Sequence, residues 1–453
     1  MALEGFDLDS FAQALSVPTQ EALAALPQIQ KQPEAWQLAF DLLASNTGRD
    51  TLDEERQGAL RDELIRLAVE NSDGPLNVLS KISQALAAYA LLMPADAWDG
   101  FLGAVVAALQ ERAQGTCRAD SAGAAVVDFL EVFPEELNRT ALAAAQQGRL
   151  VQDVKAALPL VLQILTSVVR GLPGSAGGGD AAYERLGQSA AWRTRAWKAI
   201  QQWLQFGVPG DSLFVPLLEV CLQQLQVLAA HRVRGDGHDD DDEIQAAAAA
   251  ADDMVSNMKV AARYARSVGT LVLEQLGQAW VGQVLDHSAR DAGHDARAWS
   301  AVAISFGETY TDFIVSGMGD AGLGEHVGAF LQLMVALTRF PGHHGIDEDV
   351  SDQPLNFWYL LQEALVDFEA DAEPDAAAAA SAVARSTYAD VLRALVAKSA
   401  FPEAATWLAA DRDERERFAG YRREAGDALL NVYYVLRGDM LGALVDEVGS
   451  LGA

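Results

Sequence analysis

LNVLSKISQALAAYALLM, residues 76–93, is the stretch whose reading decides the fold. Leu76, Leu79, Ile82, Leu86, Tyr89 and Met93 follow one another at steps of three or four residues. On a helix that spacing makes one apolar stripe and leaves Ser80, Lys81 and Gln84 outside it. The rule repeats along the chain: Trp98, Leu102, Val105 and Leu109; Val151, Val154, Leu158, Val161, Leu165 and Val168; Phe214, Leu217, Cys221, Leu225 and Leu228; Val327, Phe330, Met334 and Leu337; Leu355, Trp358, Leu361, Leu365 and Phe368. Each segment is too short and too one-sided to hold its helix in water, so each must bury its stripe against neighbours. No strand-like segment long enough to seed a sheet interrupts the series.

Breaks between these helices carry ordinary stop and start chemistry: Gln32 before Pro33, Asp73-Gly74-Pro75, Pro94 with Asp96 placed to cap, and Val208-Pro209-Gly210-Asp211. Longer interruptions lie at residues 171–180, 232–243, 342–353 and in the charged run 411–417, the last compatible with a helix. None reads as an interdomain tether, which predicts one elongated unit over residues 1–453. Pro33-Glu34-Ala35-Trp36 and Pro94-Ala95-Asp96-Ala97-Trp98 open two helices in the same way. Helix pairs recur about every 40 to 60 residues, against ~40–47 for HEAT-type repeats. The predicted fold class is therefore all-α, a HEAT-repeat α–α superhelix (solenoid) of about nine to ten helix pairs, with a concave surface suited to protein partners.

Half of the 453 residues are hydrophobic, ample for a core. A formal charge of −31, from 64 acids against 33 bases, repels nucleic-acid phosphates and anionic membrane surfaces and attracts basic partners. It also keeps an Ala- and Leu-rich helical protein soluble. Two cysteines, Cys117 and Cys221, both in predicted helices, read as packing residues in a reducing compartment and not as a disulfide framework. Residues 1–10 carry Glu4, Asp7 and Asp9 and no base, the wrong chemistry for a secretory or organellar address. The most apolar stretch, residues 156–169, is interrupted by Pro159, Gln163 and Thr166 and is shorter than the ~20 residues a bilayer requires, so no membrane insertion is expected.

Catalytic patterns are weak. Gly317, Gly319 and Gly322 fit G-x-G-x-x-G, but residues 309–316 continue a helical region where a phosphate cradle needs a strand. His343, His344, Asp347 and Asp349 could meet a divalent ion, yet they sit after Pro341 in what reads as a solvated polar loop. His287 and His294 flank a polar turn without a zinc-protease glutamate and read as surface residues. No serine stands in G-x-S-x-G, and neither cysteine has a base in support. Trp192, Trp197 and Trp203 lie among Arg193, Arg195 and Lys198, but their spacing favours interhelix packing over base stacking. No catalytic residue, cofactor or metal ligand is assigned, and the chain is not expected to be an enzyme. Asp239, Asp240, Asp241, Asp242 and Glu243 lack the alternating ligands and glycine of a calcium loop and are expected to form a disordered acidic insertion, the candidate partner-binding loop.

Asn356-Phe357-Trp358-Tyr359-Leu360-Leu361-Gln362-Glu363 resembles the F-W-Y-x-L-Q signature of the importin-13 and transportin-3 branch of the importin-β karyopherins. Phe340-Pro341-Gly342-His343-His344, Val366-Asp367-Phe368-Glu369 and Phe401-Pro402 with Phe418 and Tyr421-Arg422 look like the same branch. So do Phe133-Pro134-Glu135-Glu136-Leu137, Trp203-Leu204-Gln205-Phe206-Gly207-Val208 and Phe306-Gly307-Glu308, collinear with the two Trp-bearing helix starts. The resemblance implies a nuclear transport receptor that shuttles between cytoplasm and nucleus. It would carry protein cargo through nuclear pores by binding on its concave face, under control of the GTP form of the GTPase Ran. Implied partners are cargo of basic character, Ran-GTP and nucleoporin repeats. Family members hold roughly twenty repeats, so the chain is expected to correspond to an N-terminal half. Within residues 1–70 the first repeats are shorter than the family pattern, which puts part of the Ran surface out of reach; residues 71–453 match exportin-1/importin-β-like repeats with the acidic insertion at 232–243. The alternative function is a HEAT-repeat adaptor or scaffold without transport; a metal protein built on the His343 region ranks behind it.

Overall fold

The computed structural model describes residues 54–92, 101–114, 119–140, 144–172, 181–234, 241–289 and 294–451. Residues 1–53, Pro33-Glu34-Ala35-Trp36, Pro94-Ala95-Asp96-Ala97-Trp98 and Cys117 lie outside them. Nineteen helices and no strand occur among the described residues, an all-α HEAT-type repeat array as predicted. The chain divides into two compact units, Met1–Pro209 and Gly210–Ala453, the boundary falling in the Pro209-Gly210 turn.

The first unit contains α1 (Glu54–Glu70), α2 (Leu76–Leu92), α3 (Phe101–Gln114), α4 (Ala119–Arg139), α5 (Ala144–Val169), α6 (Ala181–Leu186) and α7 (Ala190–Leu204). Helices α2, α4 and α7 touch in series, as do α1, α3 and α5, and members of the two rows pack across. This two-layer order is what stacked helix pairs produce. The stripe of α2 is buried from its second member on: Leu79, Ile82, Leu86 and Tyr89 are at most 4% exposed, whereas Leu76 in the first turn is 41% exposed and Met93 lies outside the described residues. Burial goes further than that stripe, because Ser83, Ala85, Ala87, Ala88 and Ala90 are also buried where α2 meets flanking helices. Ser80, expected outside, donates to Asp128 Oδ1 at 2.8 Å. Arg195 pairs with Asp128 and with Glu131, so one guanidinium and two carboxylates join α4 and α7, and Ser80 extends the network to α2. Burial pushes both carboxyls upward, and the facing guanidinium pulls them back.

Helix α5 runs from Ala144 through Pro159 to Val169, longer than the 156–169 stretch suggested. Its segment Leu150–Val169, like Ser212–Arg234 in the second unit, has the length and apolarity of a membrane span. Val154, Leu158, Val161, Leu162, Leu165 and Val168 are nevertheless buried against protein, and α5 packs on α3, α6 and α7. Core helices of an array meet the same compositional test.

The second unit contains α8 (Asp211–Arg234), α9 (Asp241–Val255), α10 (Met258–Leu276), α11 (Ala279–Ser288), α12 (His294–Thr309), α13 (Thr311–Gly317), α14 (Gly324–Thr338), α15 (Leu355–Asp371), α16 (Pro374–Ser399), α17 (Ala404–Ala409), α18 (Arg412–Leu436) and α19 (Gly438–Leu451). One row runs α9, α12, α15, α18; the other runs α8, α10, α14, α16, α19, with α11 beside α8. A line of rings crosses between the rows. Phe306 of α12 meets Phe330 of α14 at 5.2 Å, Phe330 meets Phe357 of α15 at 5.9 Å, and Trp358 meets Tyr388 of α16 at 5.8 Å. The polar atoms of Trp358 and Tyr388 are satisfied: Trp358 Nε1 donates to Thr338 Oγ1 at 2.9 Å, and the Tyr388 hydroxyl donates to the Trp358 carbonyl at 2.5 Å. A Cβ on Gly307 would stand 2.7 Å from Phe357 Cδ2, so this glycine permits the close seating of the ring on α12. In an exposed helix interior Gly→Ala is favourable by ~1 kcal/mol. At position 307 the sign reverses, and Gly307→Ala is expected to destabilise the protein by about 1–3 kcal/mol in urea titration; a gain in stability would contradict this packing.

Candidate functional site

Burial of the rings leaves charge on the outside of the same helices. Glu363, Asp367, Glu369, Asp371, Glu373 and Asp375 are all exposed along the end of α15 and the start of α16, and no base occurs between positions 363 and 375. Pro374 fixes the turn by opening α16 at its first position. Asp375 suits a helix start, whereas Asp371 adds negative charge to a helix end that already carries a negative dipole. A cationic partner would relieve that repulsion. Tyr359 and Val366, 45% and 50% exposed, lie among these acids on the outward face of α15. The amphipathic reading assigned this stretch by its buried side alone and passed over its exposed one.

The acidic run is only partly as expected. Helix α8 continues to Arg234 and α9 begins at Asp241, so the ends of the 232–243 interruption are helical. Asp241 and Asp242 are exposed in the first turn of α9, where the helix dipole favours them, and Asp241 pairs with Arg232 at 3.1 Å. Glu243 points inward and is 1% exposed, so it is no part of a partner-facing loop. Asp239 and Asp240 lie outside the described residues.

The histidine loop is built, not merely solvated, and it corrects the polar-loop reading. Gly342 and Gly345 take positive φ of 102° and 78°, which lets the chain fold back after Phe340. Lys398 of α16, 6% exposed, donates to the Phe340 carbonyl at 2.7 Å, the Gly342 carbonyl at 2.5 Å and Glu348 Oε1 at 2.7 Å. Glu348 also accepts from the Val350 and Ser351 amides, at 2.6 and 2.9 Å, and from the Ser351 hydroxyl at 2.6 Å. Burial lowers the Lys398 ammonium from its ordinary range, opposed by Glu348. The four candidate ligands do not converge on one point: two of them pair with each other and the other two turn elsewhere. His343 faces Asp347 at 3.1 Å, Asp349 pairs with Arg297 at 2.7 Å, and His344 stacks on Tyr421 at 4.9 Å. Among the described residues no group of three or more His, Cys, Asp or Glu is placed to hold a metal ion.

Other sequence candidates resolve into packing. Gly317 closes α13, and Gly319 and Gly322 lie in the turn before α14. The phosphate-like position there is filled by Asp320 Oδ1, which accepts from the Gly322 and Leu323 amides at 2.7 and 2.9 Å and is held below the usual carboxylate range by them. The Cys221 thiol is fully buried, and burial pushes it far up, away from thiolate reactivity. Trp197 and Trp203 are wholly buried, Trp203 Nε1 donating to the Leu130 carbonyl at 2.7 Å. Trp192 lies under Arg195, 5.1 Å from the ring centre.

Comparison with known proteins gives one consistent answer. The family described as Exportin 1-like protein matches residues 75–235. Importin-13 of Homo sapiens is 25% identical over 457 residues, covering 94% of this chain and 42% of its own length. Importin-13 of Gallus gallus is 25% identical over 456 residues with the same coverage of 94% and 42%. A solved structure described as importin13 in its cytosolic state superposes with a TM-score of 0.64 at 18% identity, over 88% of this chain and 44% of that one. The chain thus spans less than half the length of these relatives.

Lys398→Met removes the ammonium that contacts buried Glu348 at 2.7 Å, and is expected to destabilise the fold by ~3–5 kcal/mol. Hydrogen exchange at the amides of Gly345, Val350 and Ser351 should accelerate with it; unchanged exchange there would show that the lysine does not hold the loop.

Proposed function

We propose that this chain belongs to the importin-13 branch of the importin-β family and acts as a nuclear transport receptor that binds protein cargo and is governed by Ran-GTP. The observation that carries the reading is the collinear likeness to importin-13 across 94% of the chain. The fold supports it: stacked helix pairs touch chiefly their neighbours, so small rotations between pairs add up to changes of curvature. Cargo and Ran-GTP then favour different curvatures, and each shifts the affinity of the other.

The cargo class follows from charge. With 64 acids against 33 bases, and with the exposed acids from Glu363 to Asp375 gathered at one turn, basic cargo is drawn in and nucleic acid repelled. Nucleoporin repeats complete the partner set, and the receptor shuttles between cytoplasm and nucleus. No individual residue is assigned to Ran, because no short motif marks a contact.

Ran locked in its GTP and GDP forms, immobilised and exposed to the purified chain, tests this directly. GTP-selective capture is expected, together with release of a bound basic cargo by Ran-GTP. Equal capture by both forms, or capture by neither, would exclude Ran control and leave a HEAT adaptor. Cargo binding itself should weaken steeply as salt rises from low to physiological strength, where the Debye length falls to about 8 Å.

A further inference from the structure

One surface of the second unit reverses the chemistry of the rest. A cavity of about 290 Å³ lies between α17 and the first half of α18. Its apolar wall is three rings: Phe401 meets Trp407 at 5.3 Å and Phe418 at 5.7 Å, and Trp407 meets Phe418 at 5.9 Å. Its rim is cationic. Arg422 stands 4.3 Å over the Phe401 ring and Arg415 5.6 Å over Trp407.

The placement is written into α18. Asp411 caps the helix, accepting from the Glu414 amide at 2.8 Å while Glu414 accepts from the Asp411 amide at 2.7 Å. From that fixed start Arg415, Phe418 and Arg422 fall at steps of three and four on one face. Arg415 is held there by the Trp407 and Leu408 carbonyls, at 3.0 and 3.1 Å. Phe418 is buried, but Phe401 is 58% exposed, so the apolar wall opens to solvent on that side.

Charge decides what fits. Residues 411–424 hold five arginines and five acids, in a chain with roughly two acids per base, and the cavity lining itself has Arg412, Arg415 and Arg422 against Glu416 alone. Three of those acids are engaged: Asp411 and Glu414 cap each other, and Glu416, which also lines the cavity, pairs with Arg412 at 2.8 Å. Among the described residues no carboxylate pairs with Arg415 or Arg422. A guanidinium already held over a ring keeps its outer N–H fork free for a carboxylate, and meets it bidentately. The volume is about that of ten waters at ~30 Å³ each, enough for one or two side chains.

We propose that this cavity is a binding site for a segment of a partner protein carrying an Asp or Glu beside an aromatic or large apolar side chain. The ring or aliphatic group enters against Phe401 and Trp407 while the carboxylate meets Arg422. Buried aromatic and arginine anchors of this kind dominate protein interfaces. The site takes acidic segments, so it is distinct from the acidic surface offered to basic cargo and does not depend on Ran.

The test is fluorescence anisotropy of a short fluorescein-labelled peptide of alternating Glu and Phe, titrated with the full chain and with Arg422→Glu and Phe401→Ala variants. Both substituted side chains are exposed, and circular dichroism checks that the helices are retained. Saturable binding is expected, weakened about tenfold or more by either variant and by exchanging Glu for Gln or Phe for Ala in the peptide. Absence of saturable binding, equal binding to Arg422→Glu, or equal binding of the Gln peptide would each overturn the site.

Discussion

Everything in the second unit depends on rings that can be buried only between helices, never within one. Phe306, Phe330, Phe357, Trp358 and Tyr388 come from four helices, and each is at most 2% exposed only because the next helix covers it. Fully burying one such side chain contributes ~1.5–3 kcal/mol, more than helix propensity can supply in so short a segment. The array therefore holds through neighbours, and its polar bonds, such as Tyr388 to the Trp358 carbonyl, pin the register of that packing.

Surface character follows from this inward allocation. Once aromatic and branched residues take the buried faces, the remaining positions of α15 carry acids, and the start of α18 carries arginines. The first unit handles the same problem differently: Arg195 is drawn inside to neutralise Asp128 and Glu131, joining three helices through one guanidinium. Burial disfavours those carboxylates as ions, so their pairing secures the arrangement of helices more than it adds stability.

Much of this was legible in the sequence. Every apolar stripe that lies among the described residues became a helix that buries most of it, although Leu76 at the start of α2 stays exposed. The F-W-Y-x-L-Q stretch, read for its family likeness, places Phe357 and Trp358 in the core. What failed was reading polarity as exposure. Glu243, Glu348, Asp128 and Lys398 are charged and buried, and for three of them the partner is distant in sequence: Lys398 lies 50 residues from Glu348, and Asp128 67 from Arg195. Alanines were equally silent, since α2 buries four of them on sides that no hydrophobic stripe marks. The aromatic and arginine cavity could have been found from the spacing of Arg415, Phe418 and Arg422, but that run was weighed only for whether it formed a helix.

The most direct measurement of the central claim is hydrogen exchange, residue by residue, in a Trp358→Ala variant of the full chain. Loss of the ring should deprotect α14, α15 and α16, whose faces it joins, while α8 and α9 keep their protection, as nearest-neighbour coupling requires. Uniform loss of protection from α8 through α16 would mean that the unit folds as one cooperative core, and would contradict an array held together pair by pair.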